Sequence, residues 1–342
     1  MAIDRRQLSR SCFGWALIPL VPILSRLSAC GRNAARFPTR LDRLAFGSCN
    51  KQDAGQQHWK TILDAKPQLF LWLGDCIYAD GLPPRKRALE YARLSEANEY
   101  RALLRDMRVI GVWDDHDYAS NDQGIEYPWK VDSQRVFLDF IGEPSVSARR
   151  QQLGIYTSYM IGRPPQMVQL ILLDMRYFKP SGGVDREPLG AEQWTWLESE
   201  MQKEGVALKI LASSLQVLTD FSGKENWSAF PQARERLLTL IRKAPAPTVL
   251  LSGDRHMAEV SSWDLGSGKV IHELTSSGLT HFSEEGNTNA QRRGSQVAAT
   301  NFGVLELQWS PVTEGSIDQI RFQALSPQSG EVLLLYEFTI NE

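Results

Sequence analysis

Short apolar runs rich in branched and aromatic side chains recur at Leu41–Phe46, Gln68–Leu73, Val109–Trp113, Met167–Leu173, Leu208–Ala212 and Thr248–Leu251. Each has the length of a buried strand. Between them, apolar positions return at helical spacing around Gln52–Asp64, Arg87–Met107, Pro128–Phe140, Glu192–Lys203 and Gln232–Lys243. Pro231 suits the first turn of the last of these, where a missing N–H costs nothing. After Met257 the pattern is strand only, at Val260–Trp263, Val270–Leu274, Val304–Trp309, Ile317–Ala324 and Val332–Ile340. Asp264-Leu265-Gly266-Ser267-Gly268 supplies a hairpin turn between the first two. Strands alternating with helices predict a layered α/β fold: a β-sandwich core flanked by helices, in one domain over residues 31–342.

Residues 1–30 read as an address, not as part of that fold. Arg5-Arg6-Gln7-Leu8 precedes an apolar run from Cys12 to Leu24 that contains Pro19 and Pro22 and is too short for a comfortable membrane span. Leu27-Ser28-Ala29-Cys30 then resembles a bacterial lipobox, in which Cys30 is lipidated and becomes the mature N-terminus. Paired arginines before such a run resemble a twin-arginine export signal. The expectation is export to the cell envelope or periplasm, by the twin-arginine route and with a lipid anchor on Cys30. A plain secretory peptide and a retained anchor are the alternatives, and Arg26 so close to the cleavage point counts against lipidation.

Composition changes this picture little. Hydrophobic residues at 42% and charged residues at 23% are ordinary for a globular chain, and 342 residues bury a sizeable core. A formal net charge of -2 gives no basic footprint for a nucleic-acid backbone. Beyond the leader only Cys30, Cys49 and Cys76 remain, too few for a disulfide scaffold. Either Cys49 and Cys76 pair, or at least one has another task.

The chemistry concentrates where strand-like runs end. Four of them pass into Phe46-Gly47-Ser48-Cys49-Asn50, Leu73-Gly74-Asp75-Cys76-Ile77-Tyr78, Trp113-Asp114-Asp115-His116-Asp117 with Asn121 following, and Leu251-Ser252-Gly253-Asp254-Arg255-His256. Ligands of open α/β sheets bind outside the carboxyl ends of strands, so these loops are expected to converge. Each alone has a bland reading: Gly-Asp after a strand is usually a turn, and an acidic run is usually a solvated loop. Three acids after an apolar Trp113 are costly without partners, however. Together the loops offer carboxylates, an imidazole, a carboxamide, a thiolate and a phenolate. Thiolate and phenolate suit ferric iron, whereas Asp and Asn oxygens suit calcium, magnesium or manganese. Asp75 has two oxygens with which to bridge metals.

In this order the motifs Ser-Cys, Gly-Asp-x-Ile-Tyr, Trp-Asp-Asp-His-Asp with its Asn, and Ser-Gly-Asp-x-His resemble the alkaline phosphatase D (PhoD) family of metallophosphoesterases. The resemblance also takes in Leu173-Asp174-Met175-Arg176-Tyr177-Phe178, Glu192-Gln193-Trp194-Thr195-Trp196-Leu197 and Thr275-Ser276-Ser277-Gly278, so it spans Leu44 to Phe302. It implies a metallophosphatase-like sandwich with its active site at strand ends, phosphate mono- or diesters as substrates, and ferric iron paired with calcium. Carried over by position, it implies Cys49, Asp75 and Tyr78 as ligands of the iron side, with Asn121, Asp254 and His256 completing the cluster. Two departures matter. Larger relatives carry a β-rich domain before the first motif, where this chain has only Gly31–Leu41, so a more open pocket is expected. Cys76 fills the variable place of its motif and is a disulfide partner open to Cys49.

The expected reaction is hydrolysis by a metal-activated water without a covalent intermediate, with His116 protonating the leaving oxygen. Arg176 either clamps phosphate oxygens or forms an ion pair with an Asp such as Asp174. His281 either lines the pocket or faces solvent, Arg255 faces substrate or solvent, and His58 and His272 read as structural. A serine nucleophile is the weaker chemistry, since neither Ser48 nor Ser252 lies in Gly-x-Ser-x-Gly. The rival from another class is a non-catalytic envelope lipoprotein that binds metal or phosphate esters.

Overall fold

The computed structural model describes residues 36–180, 187–221, 224–266, 268–284 and 288–340. The export segment, with Arg5, Arg6 and Cys30, lies outside the described residues, and within them no helix is long and apolar enough to cross a membrane.

Two sheets form the core. The first has six strands, and β1 (Arg43–Gly47), β2 (Leu69–Leu73) and β3 (Arg108–Val112) run parallel within it. The antiparallel β11 (Phe302–Trp309), β12 (Ile317–Leu325) and β13 (Val332–Phe338) extend it from β1 outward. The second has seven: β5 (Gln166–Leu172), β6 (Leu208–Ser213), β7 (Thr248–Ser252) and β9 (Val270–Ser276) are parallel. Antiparallel β8 (Ala258–Asp264), β10 (Arg292–Val297) and β4 (Thr157–Arg163) complete it.

Alternation along each strand explains the layering. Leu170 and Leu172, Ile210 and Ala212, and Val249 and Leu251 enter a core shared with Leu44, Phe46 and Phe322 of the first sheet. Their neighbours Ile171, Leu211 and Leu250 face the other way, into a second core with Trp194, Leu197, Leu237 and Ile241 of helices α6 (Gly190–Met201) and α7 (Pro231–Lys243). Strands apolar on both faces are what a sheet covered on both sides requires. On the first sheet, Trp59, Tyr91, Tyr100 and Phe137 make that cover from α1 (His58–Asp64), α2 (Pro84–Glu96), α3 (Asn98–Asp106) and α5 (Lys130–Phe140), with the one-turn α4 (Asp115–Tyr118) following β3.

The expected layered sandwich is therefore the fold, with local corrections. The single helix expected over Arg87–Met107 breaks at Ala97, whose ψ of 128° is extended. Tyr91 and Tyr100 are nine residues apart, about 180° around a straight helix, and both are buried. Breaking the helix lets both face the core, where Tyr100 accepts a 3.1 Å bond from Trp72 Nε1. The helix expected from Gln52 begins only at His58; before it the chain makes a turn in which the Ala54 N–H donates to the Lys51 carbonyl at 3.0 Å. Strands β4 and β10 are sheet edges whose side chains are largely half-buried or exposed, and they carry no buried alternation to read. Pro231 does open α7.

Candidate metal centre

The parallel strands point their carboxyl ends the same way, and the loops leaving β1, β2, β3 and β7 meet there. Their approach is close. At Gly253 a Cβ would lie 2.6 Å from the Leu73 carbonyl oxygen and 2.7 Å from Ser48 Oγ, and Gly74, at φ +95°, would push one within 2.4 Å of Asp114 Cβ. Cys49, Asp75, Asp254 and His256 all adopt φ between 49° and 65°, the left-handed region that non-glycine residues seldom enter. Such strain at four clustered residues is held by surrounding bonds and marks a functional site.

The donors those residues carry meet in three overlapping groups, each with ligand atoms within 4.8 Å of one another: Cys49, Asp75 and His256; Asp75, Asp114 and Asp254; and Asp75, Asp115 and His116. Asp75 is common to all three. Cys49 Sγ lies 3.5 Å from Asp75 Oδ2, and Tyr78 Oη lies 3.4 Å from the same oxygen. Tyr78 Oη is also 3.0 Å from His256 Nε2 and 3.1 Å from His281 Nε2.

A surrounding set of side chains fixes these donors. Asp117 is fully buried and accepts from the backbone N–H groups of Cys76 (3.1 Å), Ile77 (3.3 Å) and Asp114 (3.1 Å) and from Tyr91 Oη (2.9 Å). It thereby ties the Asp75 loop to the Asp114 loop. Gln52 clasps the Tyr78 backbone, accepting from its N–H at 2.9 Å and donating to its carbonyl at 3.0 Å. Ser277 Oγ accepts from the His256 N–H at 2.9 Å and sits 3.0 Å from Cys49 Sγ. His116 Nδ1 is 2.8 and 2.9 Å from the two Asp80 oxygens, and its ring lies against that of Tyr78 with centroids 4.1 Å apart.

The electrostatics of the cluster are those of a site short of positive charge. Burial, with help from Cys49 and neighbouring carboxylates, pushes Asp75 well above the usual carboxylate range, and burial with Asp114 and Asp115 pushes Asp254 to about 7. Burial and the Asp254 charge push the Cys49 thiol up to about 12, and burial with Cys49 and Asp75 pushes the Tyr78 phenol up as well. Burial also lifts Asp115, but Arg176, His116 and hydrogen bonds outweigh it and hold that carboxyl low. A cation among the donors reverses this logic, favouring every ionised form at once. Two buried oxygens face the cluster with no hydrogen-bond partner, Asp75 Oδ1 and Asp114 Oδ2. Leaving two carboxylate oxygens dry and unpaired is costly, so the residues present fit bound metal.

The expected ligands Cys49, Asp75, Tyr78, Asp254 and His256 are thus brought together. Asn121 is exposed and lines the mouth of a cavity of about 230 Å³ shared with Asp75, His116, Asp254 and His256. Asp114 and Asp115 belong to the cluster without having been singled out as ligands; the run of acids after Trp113 was their signal. Arg176 requires a correction. Its guanidinium is fully buried away from the cavity lining, with Nε bonded to Asp114 Oδ1 at 2.5 Å and Nη1 to Glu225 at 2.6 Å. The ion-pair alternative is the one the structure shows, with Asp114 and Glu225 as partners; Asp174 accepts only the backbone N–H, and Nη2 is buried without a hydrogen-bond partner, 3.8 Å from Asp115 Oδ1. Cys49 and Cys76 are both free, and Cys76 is buried in the hydrophobic core. A larger groove of about 1030 Å³ lies between α1 and the turn after β12, and none of the cluster residues lines it.

The PhoD-like phosphatase family profile matches residues 44–317. No curated protein matches the sequence. Among solved structures, PhoD superposes with a TM-score of 0.67 at 16% identity, covering 88% of this chain and 70% of that one. GAP50, the anchor in the inner membrane complex of Plasmodium, gives 0.61 at 14% identity, covering 89% and 90%. The purple acid phosphatase PPD1 from yellow lupin (Lupinus luteus) seeds gives 0.60 at 13% identity, covering 90% and 55%.

Proposed function

The chain belongs to the PhoD-like phosphatase family, and from that premise we propose that it is an exported phosphomonoesterase or phosphodiesterase with an iron–calcium centre. The observation that carries the reading is the pair of orphaned oxygens on Asp75 and Asp114 inside a shell of further donors. Cys49, Asp75 and Tyr78 would hold ferric iron, the ion that thiolate and phenolate donors suit. Asp114 and Asp254, with Asn121 at the mouth, would hold calcium or another divalent ion, and His256 would complete the iron-side donors Cys49 and Asp75, with which it groups. Metals bound there supply Lewis-acid charge stabilisation and an activated water.

The chain's own side chains do the rest. Asp75 and Asp254 position the reacting centre through their constrained loops. Asp80 occupies His116 Nδ1, which leaves Nε2 free to give its proton to the leaving oxygen. The leader supports export: Arg5-Arg6, an apolar run and Leu27-Ser28-Ala29-Cys30 are the reason to place the mature protein in the cell envelope on a lipid anchor.

The test uses purified protein with 4-nitrophenyl phosphate and bis(4-nitrophenyl) phosphate. Turnover of at least one, abolished by chelator and restored by iron and calcium, is expected. Metal-loaded protein that turns over neither ester refutes the proposal in favour of a non-catalytic binding role.

A further inference from the structure

Arg176 is buried against Asp114 and Glu225 and does not line the cavity over the cluster, which needs a cation of its own lining if it is to hold a phosphoryl group. The lining carries carboxylates as well as cations. Asp122 and Glu225 reach it, and Lys179 and Arg176 are spent neutralising Glu225. Arg255 lines the same cavity beside Asp75, His116, Asp254 and His256. Its Nη1 is 3.9 Å from Asp254 Oδ2, a long ion pair, and among the described residues its guanidinium forms no hydrogen bond.

Its position is nevertheless defined. Asp254 and His256 on either side hold φ of 65° and 54°, and the Arg255 N–H donates to the Gly253 carbonyl at 2.8 Å. The guanidinium lies 5.4 Å from the centre of the Phe221 ring, a cation–π contact with another residue of the lining. A planar fork with uncommitted donors, backed by an aromatic face and set between two cluster residues, suits the tetrahedral oxygens of a phosphoryl group. Lys224 also reaches the cavity but is not built into the Asp254–His256 turn.

We infer that Arg255 binds the non-bridging oxygens of the substrate's phosphoryl group, and of the phosphate product, with Phe221 holding its guanidinium in place. The inference rests on the phosphoesterase reading of the cluster and adds a substrate-binding residue to it. It also gives the variable place in Ser-Gly-Asp-x-His a role in this chain.

The experiment measures inorganic phosphate binding by calorimetry, and steady-state kinetics on whichever chromogenic ester is turned over. Metal-loaded wild type, Arg255→Ala, Arg255→Lys and Phe221→Leu are compared, with metal content and Tm recorded for each. Arg255→Ala should weaken phosphate binding and raise KM by about 10- to 100-fold, the loss expected for one charge-assisted contact. Its kcat should change much less, and its metal content should match wild type. Arg255→Lys should recover part of the loss, and Phe221→Leu should shift phosphate affinity in the same direction by a smaller factor. Unchanged phosphate affinity in Arg255→Ala overturns the inference. So does loss of metal in that variant, which would make Arg255 a support for Asp254. If phosphate binding depends on Arg255 but no ester is hydrolysed, the hydrolase reading fails and Arg255 stands as a binding residue for the phosphate group alone. If esters are hydrolysed and phosphate affinity ignores Arg255, the reverse holds.

Discussion

Replacing Asp117 tests whether this centre is built by its supporting residues as much as by its ligands. The carboxylate is fully buried, and its oxygens bond backbone N–H groups and a phenol, not the donor atoms of the cluster. Oδ1 accepts from the Ile77 N–H and Tyr91 Oη, and Oδ2 accepts from the N–H groups of Cys76 and Asp114. Asp117→Ala strands all four donors in a dry interior. At ~1 kcal/mol net for each lost bond, the variant should lose about 4 kcal/mol, a large share of the 5–15 kcal/mol by which typical domains are stable. Asp117→Asn is the more discriminating change. An amide keeps one acceptor oxygen, so it serves one pair of donors and presents its own N–H groups to the other pair. About half the loss, ~2 kcal/mol, is expected, with the Asp75 and Asp114 loops uncoupled. Guanidinium unfolding of both variants gives the stability, and metal analysis of the folded protein gives the consequence at the centre. Losses in the order Ala greater than Asn, each with reduced metal content, are expected. Wild-type stability and metal content in Asp117→Ala would refute the reasoning, because four buried donors cannot go unpaired without cost.

Three further outcomes follow from the structure. Asp75→Asn should empty the centre and abolish chelator-sensitive turnover while the fold survives, since Asp75 is common to all three donor groups; metal analysis and unfolding curves check it. Burial holds His58 down to about 4 from 6.5, so between these values the unfolded chain takes up a proton that the fold refuses. Stability from this residue is therefore present above pH 6.5 and lost as pH falls toward 4, by about 3 kcal/mol. The wild-type minus His58→Gln difference in unfolding free energy across that window isolates it, and a pH-independent difference would contradict the assignment. Denatured, unreduced protein should titrate free thiols from both Cys49 and Cys76, and Cys76→Ser should keep its activity at a cost of about 1–2 kcal/mol in the core; a Cys49–Cys76 cross-linked peptide from active protein would overturn this.

What the sequence revealed, and what it hid, divides along a physical line. Strands such as Leu208–Ser213 and Thr248–Ser252 were legible because burial on both faces leaves an unbroken apolar run. Thr157–Arg163 and Arg292–Val297 were not, because an edge strand needs no such run and is defined by a partner distant in sequence. The helix break at Ala97 has no proline or glycine to announce it and follows from two tyrosines that must both face the core. At the centre the same distinction separates motif from role. The four loops could be read because each follows a strand and concentrates ligand types within a few residues. Which acid does what could not, since Asp114 and Asp117 lie three apart in one run yet have opposite duties. Asp117 spends both oxygens on donors that fix the loops, whereas Asp114 keeps Oδ2 free and gives Oδ1 to Arg176 and Ser214. Arg176 is the reciprocal case, since a guanidinium at a strand end reads equally as a phosphate clamp or an ion-pair partner until its neighbours appear. A free oxygen or an unspent guanidinium is a property of the surroundings, and those of Asp114 and Arg255 are assembled from loops of both sheets. Among the described residues that assembly leaves Asp75 Oδ1, Asp114 Oδ2 and Arg176 Nη2 buried without a partner and the Arg255 fork without a hydrogen bond, and the proposed metal and substrate are what would satisfy them.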